Sequence, residues 1–417
     1  MEAHKAVPLG ATAEDVAAWP ESRPPLTALP TPLVTLSDAA VAHNVATMAA
    51  WCAAAGVDLA PHGKTTMSRA LWERQLAAGA WGITVATPWQ ASVALGWGVP
   101  RVQLANALVQ PAALRALAAD AGRLTVWTDS LRGVAIMHEA LTAAGAGAPL
   151  GVLVELGAAG GRTGARTRAE ALAVAEAVAA SPVLRLAGVA GYEGALAHDA
   201  SDAALATVRG YLADLGALHD AVGAAGLYPD DGGELLVTAG GSAYFDLVAE
   251  VLAPRHDPAG DRGLPVRVLL RSGAYVVHDD GFYRGISPLS RGAGPTALRP
   301  ALHGWATVVS RPEPGLVLLD AGKRDLAFDE GLPEPQLLRR LGVSVAEPLS
   351  GARVTAMNDQ HTFLVVDPAA GVEVGDAVRL GLSHPCTTFD KWRGIVTVDD
   401  DRAAEPRVTG LVETAFG

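Results

Sequence analysis

The sequence has few of the features that mark secreted, membrane-spanning or nucleic-acid-binding proteins. Its 417 residues include only two cysteines, too few for a disulfide framework. No apolar run approaches the roughly 18–20 residues that a membrane-spanning helix needs. The first residues, MEAHKAVPLGATAEDVAAWPES, lack the apolar core of a signal peptide. The net charge is −12 and there is no basic cluster, which argues against nucleic-acid binding. We therefore expect a soluble, cytoplasmic protein.

The composition predicts a packed globular protein. Half of the residues are apolar and 18% are charged. The length allows two domains, or one large barrel with an added domain.

Residues 26–295 alternate short β-branched runs with amphipathic helical stretches. Helices are expected to begin at Ser37-Asp38, Ser68 and Asp129-Ser130, which are ordinary capping signals. The predicted strands are 57–60, 82–86, 102–106, 124–127, 151–156, 184–190, 234–239 and 266–271. Eight strands with helices between them, over about 250 residues, match a (β/α)8 TIM barrel. A doubly wound open sheet is the alternative, although no Gly-rich dinucleotide fingerprint follows an early strand.

Residues 296–417 show a different pattern. Strand-like runs at 302–312, 315–322, 352–366, 376–382 and 394–400 are separated by Gly, Pro and Asp turns. One short helix is expected around 334–341. We predict a second, mostly β domain here, with which residues 1–25 would pack.

A lysine follows the first predicted barrel strand, in DLAPHGKTTMS. His62 and Lys64 have the two-residue spacing that would place both on the inner side of a strand end. A lysine in a barrel mouth is costly unless it is paired, neutralised or used covalently, and a lysine with a lowered pKa is the usual amine for Schiff-base chemistry. A solvated surface lysine in a loop is the alternative.

Further polar residues and glycine turns follow the later barrel strands, at the face where a barrel builds its active site. They are Arg162, Tyr192, Glu193, Thr238, Gly240, Gly241, Ser242, Ser272, Gly273 and Tyr275. The Gly-Gly-Ser turn at 240–242 precedes a helical segment, so its backbone N–H groups could bind a phosphate.

His384 and Cys386 lie near the end of the chain, in SHPC. On an extended strand both side chains would project to one side and could share a metal ion. Imidazole and thiolate suit zinc, and two protein ligands leave the open coordination of a catalytic metal. A packed thiol and a histidine-activated nucleophile are the alternatives.

Together, PHGKTTMS, GGRTGA, GYEG, GGS and SHPC resemble the D-serine dehydratase / D-threonine aldolase family of pyridoxal-phosphate enzymes. These enzymes have the alanine-racemase-type barrel, fold type III. The resemblance covers about residues 25–400. Among these enzymes, the sequence is most similar to the His-x-Cys, zinc-dependent D-serine dehydratase-like deaminases.

The resemblance implies roles for the candidate residues. Lys64 would bind pyridoxal phosphate covalently, and its freed amine would remove the substrate α-proton. His62 and Tyr192 would be further catalytic residues. The cofactor would also contact Arg162 (opposite the pyridine nitrogen), Tyr192, Thr238, Gly240, Gly241, Ser242 and Tyr275. His384 and Cys386 would bind zinc. A homodimer that shares its active site is also implied.

The resemblance leaves the reaction open. Relatives with aldolase activity more often carry an acidic residue in place of Cys386, so the thiol favours zinc and dehydration of a D-3-hydroxy amino acid such as D-serine. However, several relatives have a further histidine after the lysine, where this chain has Thr65-Thr66-Met67. A metal-dependent D-threonine aldolase is the main alternative. A racemase and a non-catalytic pyridoxal-phosphate carrier protein are less favoured. His361 is either near the metal or structural.

Overall fold

The computed structural model of the protein describes residues 5–261, 263–291 and 297–416. The strands are β1 Leu33–Ser37, β2 Asp58–Leu59, β3 Ile83–Val85, β4 Val102–Ala107, β5 Leu124–Thr128, β6 Leu150–Leu156, β7 Leu184–Gly191, β8 Leu235–Thr238, β9 Val266–Leu270, β10 Leu302–Glu313, β11 Leu316–Leu319, β12 Glu334–Arg339, β13 Glu347–Pro348, β14 Arg353–Met357, β15 Thr362–Val365, β16 Ala377–Gly381, β17 Gly394–Val398 and β18 Val408–Glu413.

The α-helices are α1 Ala13–Ala17, α2 Trp19–Ser22, α3 Asp38–Ala55, α4 Arg69–Ala77, α5 Pro88–Gly96, α6 Pro111–Leu117, α7 Leu131–Ala144, α8 Arg168–Ala179, α9 Asp202–Ala224, α10 Phe245–Leu252, α11 Phe282–Ile286, α12 Pro288–Arg291 and α13 Pro385–Phe389. Within the described ranges, no helix combines the length and the apolar character needed to cross a membrane.

The strands β2 to β9 form one parallel sheet, in the order β2-β9-β8-β7-β6-β5-β4-β3. A bridge between His62 and Thr84 joins its two ends, supported by a hydrogen bond of 2.8 Å from the Trp81 N–H to the Leu59 carbonyl. The eight predicted barrel strands correspond to these eight. The predicted alanine-racemase-type barrel with an added β domain is confirmed.

Helices cover this sheet because the sequence supplies their start signals where each βα connection needs one. Ser130 caps α7 by accepting the Gly133 N–H at 3.2 Å. Thr167 and Glu170 form a capping box at the start of α8. Each cap satisfies a backbone N–H that has no partner within the helix, so the strand-to-helix turns are sharply defined.

A second sheet contains β1, β10, β12, β13, β16, β17 and β18, with β11, β14 and β15 joined through β10. In its centre β1 pairs antiparallel with β10 and parallel with β17. The sequence pattern did not indicate β1, although all five of its residues are buried.

The predicted helix around 334–341 is wrong, because β12 is a strand. It pairs antiparallel with β16, with Leu337 opposite Arg379 and Leu338 opposite Val378. Helix propensity is a weak local preference, and pairing with a neighbouring strand satisfies the same backbone groups over a longer range.

The chain divides into two compact units. One comprises residues 48–64 and 75–273 and contains the barrel sheet; the other comprises 1–47, 65–74 and 274–417 and contains the second sheet. The predicted domain bounds, 26–295 and 296–417, stay a prediction. The predicted boundary at residue 295 lies outside the described residues.

Candidate active site and metal-binding pair

Strand periodicity places several polar side chains inside the barrel. Ala60, Leu153, Leu236 and Leu269 belong to the buried apolar cluster of the barrel. Because side chains alternate between the two faces of a strand, the residues two positions further along share the inner face. These residues are His62, Glu155, Thr238 and Arg271. They form a polar layer at the carboxyl ends of the strands, where barrels place their active sites.

Arg271 is a buried cation at the end of β9, and the sequence analysis missed it. Its guanidinium donates to the Thr238 hydroxyl at 2.8 Å and to the Gly191 carbonyl at 2.7 Å, and it lies 4.7 Å from the centre of the Trp127 ring. These contacts tie β7, β8 and β9 together. A charged residue two positions after Leu269, on the same face, was a signal that could have revealed it.

Glu193 is fully buried and holds the glycine turn that follows β8. Its carboxylate accepts the Gly240 N–H at 2.9 Å and the Gly241 N–H at 2.7 Å. Both N–H groups predicted to bind a phosphate therefore have an acceptor within the protein. Their contact with the cofactor stays a prediction. Ser242, the next residue, is half-buried.

Lys64 does not extend a strand. It is exposed and lies in the short 3-10 helix Gly63–Thr65, whereas β2 ends at Leu59. The expected strand spacing of His62 and Lys64 is therefore wrong, because the backbone turns after the bridge at His62. Burial, and then the charges of Lys64, Arg271 and Arg162, lower the pKa of His62 well below its ordinary value. At neutral pH this imidazole is uncharged.

Arg162 and Tyr192 lie together. The exposed Arg162 guanidinium is 4.8 Å from the centre of the Tyr192 ring, a cation–π distance. The Tyr192 N–H donates to the Tyr211 hydroxyl at 3.0 Å, which fixes the backbone at the start of GYEG. Both residues were predicted from the sequence, and the structure brings them into contact.

The remaining candidates occupy turns. Gly273 must be glycine, because a Cβ there would lie 2.3 Å from the His62 carbonyl oxygen. The Ser272 hydroxyl donates to the Gly241 carbonyl at 2.9 Å. Tyr275 is buried in the short helix Ala274–Val276 of the other unit. Its predicted contact with the cofactor stays a prediction.

The barrel interior has the chemistry to hold a polar aromatic cofactor. Buried polar atoms are usually hydrogen-bonded, but four on the barrel strands or just beyond them have no hydrogen-bond partner: His62 Nδ1, Gln103 Nε2, Trp127 Nε1 and Glu155 Oε2. Burial raises the pKa of Glu155, against the lowering effect of its bond from Thr163. The cations around His62 suit an anionic group. These residues fit pyridoxal phosphate.

His384 and Cys386 belong to the other unit, and their local structure differs from the expected extended strand. Strand β16 ends at Gly381, and His384 is the N-cap of α13 with φ 58° and ψ 77°. Pro385 is the first residue of that helix, a position that suits its fixed φ and missing N–H. Cys386 is half-buried, and its Sγ donates to the Thr65 hydroxyl at 3.3 Å.

Asp329 orients the His384 imidazole, and no motif in the sequence indicates this role. Its Oδ2 lies 2.6 Å from His384 Nδ1, and its Oδ1 accepts the Thr387 hydroxyl at 2.8 Å. Partial burial acts to raise the pKa of Asp329, but the bonds from Thr387 and His384 lower it. With Nδ1 engaged, Nε2 is the nitrogen left to bind a metal.

Two further contacts define the pair. The buried carboxylate of Asp279 accepts the His384 N–H at 3.1 Å, which supports its left-handed backbone conformation. The hydrogen bond with Cys386, followed by the effect of Asp329, raises the pKa of His384 to about 9. A metal would therefore displace a proton from this site.

The donor set fits a two-residue zinc site. Over the described part of the chain, no group of three or more His, Cys, Asp or Glu side chains could hold a metal ion. An ion bound by His384 and Cys386 would take its other ligands from water or substrate, as a catalytic metal does. His361 is exposed in the turn between β14 and β15, where its carbonyl accepts the Asn358 N–H at 2.8 Å.

Comparison with known proteins connects both regions to one family. Residues 36–230 match the family "Alanine racemase, N-terminal domain", and residues 301–398 match the family "Putative serine dehydratase domain". The chain is therefore similar to the fold type III pyridoxal-phosphate enzymes. The similar proteins include D-3-hydroxy amino acid aldolases and a dehydratase.

Three similar proteins illustrate this relationship. The D-threonine aldolase of an Arthrobacter species is 29% identical over 92% of this chain and 94% of the relative. The crystal structure of D-threonine aldolase from Filomicrobium marinum has a TM-score of 0.76 at 27% identity, covering 94% and 96% of the two chains. The D-threo-3-hydroxyaspartate dehydratase from Delftia sp. HT23 shares the fold, with a TM-score of 0.71 at 22% identity over 94% and 99%.

Proposed function

We propose that the protein is a pyridoxal-phosphate- and zinc-dependent dehydratase that converts a D-3-hydroxy amino acid, such as D-serine, to a 2-oxo acid and ammonia. The observation that carries the proposal is the His384-Cys386 pair, with its imidazole held by Asp329. A thiolate donor favours zinc over magnesium or manganese, which prefer oxygen ligands. Two protein ligands leave positions at which an oxygen could bind.

Mutants of a D-threo-3-hydroxyaspartate dehydratase support this choice. Their substitutions are a histidine and a cysteine two positions apart, each replaced by alanine, and the cysteine mutant is in a metal-free form. His384 and Cys386 have the same residue types and the same spacing.

The residues of the chain would have the following roles. Lys64 would bind the cofactor and, when released, its Nζ would take the substrate α-proton. The uncharged His62 would offer its unpartnered Nδ1 to the bound molecule. Arg162, Tyr192 and Thr238 would border the cofactor. When bound, pyridoxal phosphate supplies carbanion stabilisation and zinc supplies Lewis acidity toward an oxygen.

An aldolase is the second candidate. It is favoured by the two D-threonine aldolases, at 29% and 27% identity. Such an enzyme would cleave the bond between the α- and β-carbons of a D-3-hydroxy amino acid and release glycine and an aldehyde.

One assay separates the two candidates. Purified protein is incubated with D-serine, D-threonine and their L-isomers, with and without a metal chelator. Chelator-sensitive formation of 2-oxo acid from a D-isomer supports the dehydratase, whereas aldehyde and glycine support the aldolase. Purified protein is also mixed with pyridoxal phosphate and the unbound cofactor is removed. If the protein then shows no cofactor absorbance, both the dehydratase and the aldolase proposals are contradicted.

We further propose that the chain acts as a cytoplasmic homodimer on small-molecule substrates, without a nucleic-acid or membrane partner. Light scattering during size-exclusion chromatography tests the dimer, since a monomer at micromolar concentration would contradict it.

A further inference from the structure

The glycine turn after β8, formed by Gly240 and Gly241, is held by hydrogen bonds to other residues of the barrel. The Gly240 and Gly241 N–H groups donate to Glu193. The Gly240 carbonyl accepts the Arg271 N–H at 2.9 Å, and the Gly241 carbonyl accepts the Ser272 hydroxyl at 2.9 Å. All four backbone polar groups of the two glycines are therefore used inside the protein.

The carboxylate at the centre of this arrangement is 0% exposed. A buried charge is costly unless it is hydrogen-bonded and balanced. Two N–H groups supply the hydrogen bonds, and the positive charge of Arg271 interacts favourably with Glu193.

We propose that Glu193 is a positioning residue for the phosphate of the cofactor. Its carboxylate fixes the Gly240–Gly241 turn and, through it, the position of Ser242, which would bind the phosphate. This inference rests on the proposed function and adds to it a residue that acts without touching the cofactor. It differs from the sequence expectation, in which the two glycine N–H groups themselves bind the phosphate.

The alternative role for the carboxylate is that of a competitor. In that case Glu193 would occupy the glycine N–H groups only while the phosphate is absent. The two roles predict opposite effects of removing the Glu193 carboxylate. If it positions the turn, its removal weakens phosphate binding; if it competes with the phosphate, its removal strengthens phosphate binding.

The test compares pyridoxal phosphate with pyridoxal, which lacks the phosphate. Dissociation constants for both are measured by absorbance titration of cofactor-free wild-type protein, Glu193→Gln and the exposed control Glu139→Gln. The ratio of interest is the affinity for pyridoxal phosphate divided by the affinity for pyridoxal. We expect Glu193→Gln to lower this ratio about tenfold, which is the effect of one hydrogen bond to a charged group. Glu139→Gln should leave the ratio unchanged.

The other outcomes are also decisive. An unchanged or increased ratio in Glu193→Gln, with normal binding to the wild type, overturns the positioning role and leaves the proposed function standing. Failure of the wild type to bind either compound overturns both. If Glu193→Gln does not fold, Glu193→Asp is titrated in its place, because the shorter side chain keeps the charge but cannot hold the turn in the same position. A lower preference for pyridoxal phosphate over pyridoxal supports the positioning role, and an unchanged or higher preference overturns it.

Discussion

The carboxylate of Asp329 should control how tightly the proposed zinc ion binds to His384 and Cys386. Replacing it in Asp329→Asn keeps the shape of the side chain but removes the charge that faces His384 Nδ1 at 2.6 Å. A hydrogen bond to a charged group contributes about 1.5–3 kcal/mol. The Asp329 side chain is 40% exposed, so solvent screening puts the loss at the low end. We expect about a tenfold weaker zinc affinity, near 1.4 kcal/mol.

Protonation of His384 complicates the measurement in a predictable direction. Asp329 also helps to raise the pKa of His384 to about 9. Its removal therefore reduces proton competition at neutral pH, which favours metal binding and offsets part of the loss. Above pH 9 the imidazole is mostly deprotonated in both proteins, so the full difference should be visible there.

The assay is a competition between the protein and a chromophoric chelator for zinc, at neutral pH and above pH 9. The matched control is Asp359→Asn, which removes an equally negative but 70% exposed side chain paired with Arg324. Equal zinc affinities for wild type and Asp329→Asn above pH 9 would refute the orienting role. An equal loss in Asp359→Asn would show a general charge effect instead.

Three further predictions follow from the same contacts. Cys386→Asp should shift metal preference from zinc toward manganese by at least about tenfold, because carboxylate is a harder ligand; unchanged selectivity in competition titrations would contradict this. Arg271→Met should lower the free energy of unfolding in urea by about 3 kcal/mol, because it leaves the buried Glu193 without its counter-charge, whereas the exposed control Arg209→Met should leave the free energy of unfolding nearly unchanged. Burial lowers the pKa of His219 from 6.5 to about 4, so its contribution to stability is complete above pH 6.5 and is lost as the pH falls toward 4. His219→Gln should therefore lose less stability over that interval; identical pH profiles in thermal unfolding would contradict the assignment.

The barrel could be predicted from the sequence because its signals are local. Strand alternation and helix caps such as Ser130 depend on residues a few positions apart, and they placed the eight barrel strands correctly. The same periodicity could have assigned Arg271 to the inner face. Where the sequence analysis failed, a distant partner decided the structure. Strand β12 exists because β16 lies beside it.

The His384-Cys386 pair shows the same contrast between local sequence signals and contacts with distant residues. The spacing of His384 and Cys386 was visible, but their backbone geometry was not. The left-handed conformation of His384 depends on Asp279, and its imidazole orientation depends on Asp329, which is 55 residues away in the sequence. Neither carboxylate belongs to a recognisable motif. Only folding brings them to the histidine, so the residue types predicted a metal while the supporting contacts required the structure.

The two matched domain families also indicate which part of the chain determines the reaction. The match that contains Lys64, Arg162 and Tyr192 is to the N-terminal domain of alanine racemase. The match that contains His384 and Cys386 is to a serine dehydratase domain. A cofactor site common to racemases, aldolases and dehydratases cannot by itself select among them, because it supplies the same carbanion stabilisation to each. The selecting residues should therefore lie within 301–398, and substitutions there should change the product while leaving cofactor absorbance intact.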